Sequence, residues 1–130
     1  MNAPVIAIVD DDISIRESLQ GLLRNLGCSC RSYLSAESFL EADHEPKLGC
    51  LILDVALPGM SGLELFRELR ARGRMVPIIF MTGRKQNGLW ESLLMEGAAG
   101  FLTKPFDDAD LSRQLENVLG RAVLQQLPPT

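Results

Sequence analysis

Three aliphatic runs constrain this chain more than any other feature: VIAIV at residues 5–9, CLIL at 50–53 and VPIIFM at 76–81. A strand with one wet face alternates apolar and polar residues. Runs without alternation must be covered on both faces, as in the middle of a parallel sheet. CSCRSYL (28–34) does alternate, and GFLTK (100–104) is short, so these two read as edge strands. Helical spacing fills the gaps. Ile15, Leu19, Leu22 and Leu26 recur on one face ahead of Gly27, and Ser35 can cap a short helix carrying Phe39 and Leu40. SGLE (61–64) is a capping box before Leu65, Phe66 and Leu69. Leu89, Trp90, Leu93 and Leu94 mark a fourth helix, and Leu111, Leu115, Val118 and Leu119 a fifth that starts at Asp107 or Asp108.

Strand then helix, five times over, predicts an open parallel sheet with helices on both faces. Right-handed crossovers with strands 2 and 5 at the edges give the order 2-1-3-4-5. At 130 residues the expectation is one domain over 1–123, with QQLPPT inside a C-terminal tail or linker start at 124–130. The net charge of −4 offers no electrostatic reason to bind nucleic acid or an anionic membrane. No signal peptide or spanning stretch is evident, so the expectation is a cytoplasmic chain with no membrane partner. Three cysteines without ligand-like grouping argue against a disulfide framework or zinc site; Cys28 and Cys30 share a face as small hydrophobes. The single histidine, His44, sits in a polar loop, which argues against a serine–histidine triad.

In such a sheet the ligand crevice lies beyond the carboxyl ends of the strands. Strand 1 ends in Asp10, Asp11 and Asp12, strand 3 in Asp54, strand 4 in Thr82 and strand 5 in Lys104. Clustered carboxylates suit a hard divalent cation such as Mg²⁺. Asp10, Asp11, Asp54 and the backbone carbonyl of Ala56 are the candidate ligands. Asp54 is also the candidate nucleophile, since a carboxylate can accept a phosphoryl group. Thr82 and Lys104 would then meet its oxygens. Metal-free, at least one carboxylate should have a raised pKa.

IVDDD, LILDVALPGMSG, FMTG and FLTKPF together resemble the receiver (phosphoacceptor) domain of two-component response regulators, in order and spacing across residues 4–122. The spacing looks most like that of FixJ-type regulators. The resemblance implies a flavodoxin-like (βα)5 three-layer sandwich. It implies Asp10 and Asp11 as the acidic metal pair, Asp54 as the phosphorylated residue, and Mg²⁺ as cofactor with Mn²⁺ as an alternative ion. Thr82, Gly83 and Lys104 would border the phosphoryl group, Thr82 and Phe101 would switch, and the Lys104–Pro105 bond would be cis. Ala56 and Arg84 fall where the family tunes phosphoryl lifetime. The implied partner is a sensor histidine kinase. Phosphorylation would change a surface of helix 4, strand 5 and helix 5, with Trp90, Phe101 and Arg113 as interface candidates for a homodimer. DNA would be reached through a C-terminal effector domain outside these residues. Leu57 departs mildly from the family's usual methionine.

Single residues carry plainer readings. Asp12 is expected as a first-turn acid of helix 1, and Trp90 as either core or exposed anchor. DDDIS also fits the start of a haloacid-dehalogenase-type phosphatase, with Asp10 as nucleophile and Asp12 as acid/base. That reading needs a late acidic metal motif, and Asp107, Asp108 and Asp110 instead open a helix. A degenerate receiver, acting only as an interaction module, is the third reading.

Overall fold

Five parallel strands run in the order β2-β1-β3-β4-β5. The computed structural model describes residues 4–42, 48–83 and 88–120; His44, Arg84 and the 124–130 tail lie outside them. Among the described residues, strands and helices alternate: β1 Val5–Val9, α1 Ile13–Asn25, β2 Ser29–Tyr33, α2 Ala36–Ala42, β3 Leu48–Asp54, α3 Gly62–Ala71, β4 Ile78–Thr82, α4 Leu89–Glu96, β5 Gly100–Thr103 and α5 Asp108–Leu119. This is the flavodoxin-like three-layer sandwich.

Register explains why the central runs are apolar throughout. Val9, Leu53, Phe80 and Phe101 stand in one row, and Ile8, Ile52, Ile79 and Gly100 in the next. Successive rows face opposite ways. Ala7, Val9, Leu51, Leu53, Ile78 and Phe80 enter a core with α2, α3 and α4. Ile6, Ile8, Ile52, Ile79 and Met81 enter a second core with α1 and α5. Each fully buried Leu, Ile or Phe contributes about 1.5–3 kcal/mol, so both faces hold the sheet. Cys28, Cys30 and Cys50 belong to the second core as small apolar groups; burial pushes the Cys30 thiol to about 11 and that of Cys50 to about 12.

The strand ends differ from the sequence expectation for identifiable reasons. β4 begins at Ile78 and not at Val76, because Pro77 has no N–H for the ladder; its carbonyl still accepts from Leu51 N at 2.9 Å. β3 begins at Leu48 and extends through Asp54. The expected caps form: Ser35 Oγ accepts from Ser38 N, and Ser61 and Glu64 close a reciprocal box, as do Asp107 and Asp110. No described helix is long and apolar enough to cross a membrane.

Candidate functional site

The three consecutive aspartates have three different tasks. Asp10 is fully buried; its N–H donates to Tyr33 O at 3.2 Å, and its Oδ1 accepts from Asp12 N at 2.9 Å. Asp12 is the N-cap of α1 and not a first-turn residue: its carboxylate accepts from Ser14 N at 2.8 Å. The cap uses the side chain to satisfy an orphan helical N–H, which a first-turn position would not. Asp11, between them, is exposed.

The turn faces the tip of β3. Asp54 is 6% exposed, with Oδ1 accepting from Ala56 N at 3.0 Å. Lys104, just after β5, bridges the two acids: its Nζ donates to Asp10 Oδ2 at 2.7 Å and Asp54 Oδ2 at 3.2 Å. Backbone pairing delivers it there, since Lys104 N donates to Thr82 O at 2.8 Å. Thr82 is buried at the end of β4, and Gly83 beside it is exposed. The Lys104–Pro105 peptide is cis, as expected from the resemblance.

Carboxylate oxygens of Asp10, Asp11 and Asp54 lie within 4.8 Å of one another. Three carboxylates against one ammonium leave a formal excess of two negative charges in the crevice. That excess, presented by hard oxygen donors, fits a small divalent cation. Burial raises the Asp54 carboxyl above its ordinary range; the Ala56 N–H and Lys104 oppose the rise, and the Asp10 charge adds to it. Burial would lower the Lys104 ammonium, but its hydrogen bond to Asp10 and the charges of Asp54 and Asp10 hold it above its ordinary value.

Two features escaped the sequence reading. Gly62, first in α3, lies so close to β3 that a Cβ there would fall 2.1 Å from Asp54 O. Its signal was a glycine opening a helix, where a better helix former would ordinarily serve. Arg16 Nη1 donates to Asp10 O at 2.7 Å. The remaining predicted residues lie farther along. Phe101 is half-buried and packs on Trp90, ring centroids 4.4 Å apart. Trp90 is therefore neither wholly core nor free anchor. Exposed Arg113 pairs with Asp110 and, with Phe101 and Lys104, lines a cavity of about 430 Å³ between β5 and α5. Leu57 is buried in the first core.

A five-stranded sheet in this order, with acids, hydroxyl and amine at its strand ends, defines a receiver domain. The family model for the response regulator receiver domain matches residues 6–116, and the chain belongs to that family, a family of signalling modules. It is similar to the transcriptional regulatory protein FixJ of Azorhizobium caulinodans, 42% identical over 120 residues, covering 92% of this chain and 57% of that protein. The chain thus spans little more than half the length of that curated relative. Among solved structures it resembles a response regulator receiver protein from Burkholderia phymatum, at 36% identity, TM-score 0.77, and 98% and 99% of the two chains. The receiver domain of a sensor histidine kinase from Pseudomonas aeruginosa PAO1 is 30% identical, with TM-score 0.78 over 91% and 98%. That structure has a magnesium ion coordinated in its active-site cleft. Nothing here supports the haloacid-dehalogenase reading: Asp12 is occupied as a cap, and Asp107 and Asp110 hold each other at the start of α5.

Proposed function

We propose that this chain is a phosphorylation switch whose acceptor is Asp54 and whose phosphoryl donor is a sensor histidine kinase. The observation that carries the reading is Lys104 bridging Asp10 and Asp54, which gathers the ends of β1, β3 and β5 into one crevice. Asp10, Asp11, Asp54 and the Ala56 carbonyl would hold Mg²⁺, which when bound neutralises charge on the incoming phosphoryl group. The Asp54 carboxylate attacks phosphorus as the bond to the donor's imidazole nitrogen breaks, and the imidazole leaves with the electron pair and takes a proton. Lys104 exchanges part of its carboxylate pairing for a phosphoryl oxygen, while the Thr82 hydroxyl and the backbone beside exposed Gly83 face another. Hydrolysis reverses the charge change: water attacks phosphorus, the bond to Asp54 breaks, and phosphate leaves. Ala56 and Arg84 set the lifetime. The domain supplies weak self-catalysis in both directions, small phosphodonors included.

Phosphorylation draws Thr82 inward and turns Phe101, altering the α4–β5–α5 surface that bears Trp90 and Arg113 and favouring a homodimer. The domain extends over residues 1–123, and any DNA contact belongs to a further effector domain. The test is uptake of label from acetyl phosphate carrying radioactive phosphorus, with sedimentation in parallel. Mg²⁺-dependent labelling with a larger dimer fraction is expected. No labelling, despite bound Mg²⁺, would leave the interaction-module reading in its place.

A further inference from the structure

Asp11 poses a problem that burial does not solve. Its carboxylate is exposed, so no side-chain packing aims it, yet one of its oxygens shares the 4.8 Å cluster with buried Asp10 and Asp54. The backbone sets where its Cα stands and which way its Cβ leaves the chain. On its C-terminal side the Asp12 N–H is fixed on Asp10 Oδ1. Upstream, the Asp10 N–H is fixed on Tyr33 O. The peptide joining Asp10 to Asp11 lies between these two fixed points, and its carbonyl accepts from the guanidinium of half-buried Arg16 at 2.7 Å. We propose that Arg16 is a positioning residue, which holds the Asp10–Asp11 peptide so that the Asp11 carboxylate stays aimed at the metal. This inference rests on the Mg²⁺ site proposed above.

Arg16 sits in the first turn of α1, its N–H donating to Asp12 O. A cation there opposes the helix dipole and stands near the proposed divalent ion. Electrostatics alone would make Arg16 a liability to metal binding, and its removal should tighten Mg²⁺. Positioning predicts the opposite sign. A short, charge-assisted bond to a carbonyl is among the stronger hydrogen bonds, and losing a partner that orients a ligand weakens metal sites by about 10–100-fold. The sign of the change therefore separates the two roles.

The experiment is isothermal titration of the metal-free chain with MgCl₂ for wild type, R16M and R16K. It is paired with acetyl phosphate labelling across Mg²⁺ concentrations and melting in EDTA. R16M should bind Mg²⁺ roughly 10-fold more weakly. Its labelling should need correspondingly more Mg²⁺ but reach the wild-type maximum, and R16K, which keeps charge and a donor, should recover most of the affinity. Unchanged or tighter binding by R16M overturns the inference. Should R16M melt below the assay temperature, Arg16→Gln carries the comparison with the same outcomes. If wild type takes up neither Mg²⁺ nor phosphoryl, the site reading falls and this inference with it. If wild type does both and R16M matches it, this inference alone falls.

Discussion

Replacing Lys104 with methionine keeps most of the side chain's length and removes its charge. The fully buried Asp10 then retains the Asp12 N–H at Oδ1 but loses the partner of Oδ2, and Asp54 loses its 3.2 Å contact. Removing one partner of a buried ion pair costs about 3–5 kcal/mol. The Lys104 side chain is 20% exposed and that of Asp54 8%, so solvent screens part of the loss, leaving about 2–3 kcal/mol. At roughly 3–5 °C per kcal/mol for a chain of this size, Lys104→Met should melt about 6–15 °C below wild type in EDTA. Saturating Mg²⁺ should close more than half of the gap, because the cation supplies the missing countercharge. The folded-state pKa of Lys104 is raised, so its contribution is fully present below the ordinary 10.5 and is lost only as pH rises through the higher folded value. The gap should therefore be complete at pH 7, where circular dichroism melts would be recorded. Equal melting temperatures in EDTA would refute the coupling of Lys104 to the acids. An equal loss with and without Mg²⁺ would refute their shared role with the metal.

Asp54 also titrates from a raised folded value, but far below pH 7, so its charged form is the one present there. Its folded pKa is raised above 3.8, so its contribution is most favourable below that value and is lost as pH rises through the folded one. Without metal, Asp54→Asn should melt above wild type at pH 7, and the difference should vanish in melts near pH 3. Gly62→Ala should force α3 away from Asp54 O, costing about 1–3 kcal/mol; acetyl phosphate labelling below the melting range should slow as well, whereas a purely global defect would leave it unchanged. Trp90 is the chain's single tryptophan and lies against Phe101. Its fluorescence should therefore change on phosphorylation in wild type and respond far less in Phe101→Leu.

The fold was legible because burial on both faces is written in composition. β1, the core of β3 and the end of β4 could hardly be read otherwise, and alternation marked β2 as an edge. The site was legible because chemistry-bearing side chains end successive strands; once the strands were placed, Asp10, Asp54, Thr82 and Lys104 had to share a crevice. What escaped depends on the backbone. The acceptor of Arg16 is a carbonyl, which every residue has, so its bond leaves no trace in residue types on the receiving side. Gly62 is required by a close approach between α3 and β3 that no local pattern reports. An acid in the first turn and an acid at the cap have the same composition, so the sequence points to Asp12 as a first-turn residue; the direction of its carboxylate makes it the cap. The start of β4 moved because Pro77 can accept in the ladder but not donate.

Tandem mass mapping of the phosphorylated residue tests the central claim most directly. The chain would be treated with acetyl phosphate and Mg²⁺, its acyl phosphate trapped by borohydride reduction, and wild type and Asp54→Asn digested in parallel. The account predicts one modified residue, Asp54, absent in the variant and absent in EDTA. Modification of Asp10 with Asp54 untouched would contradict it.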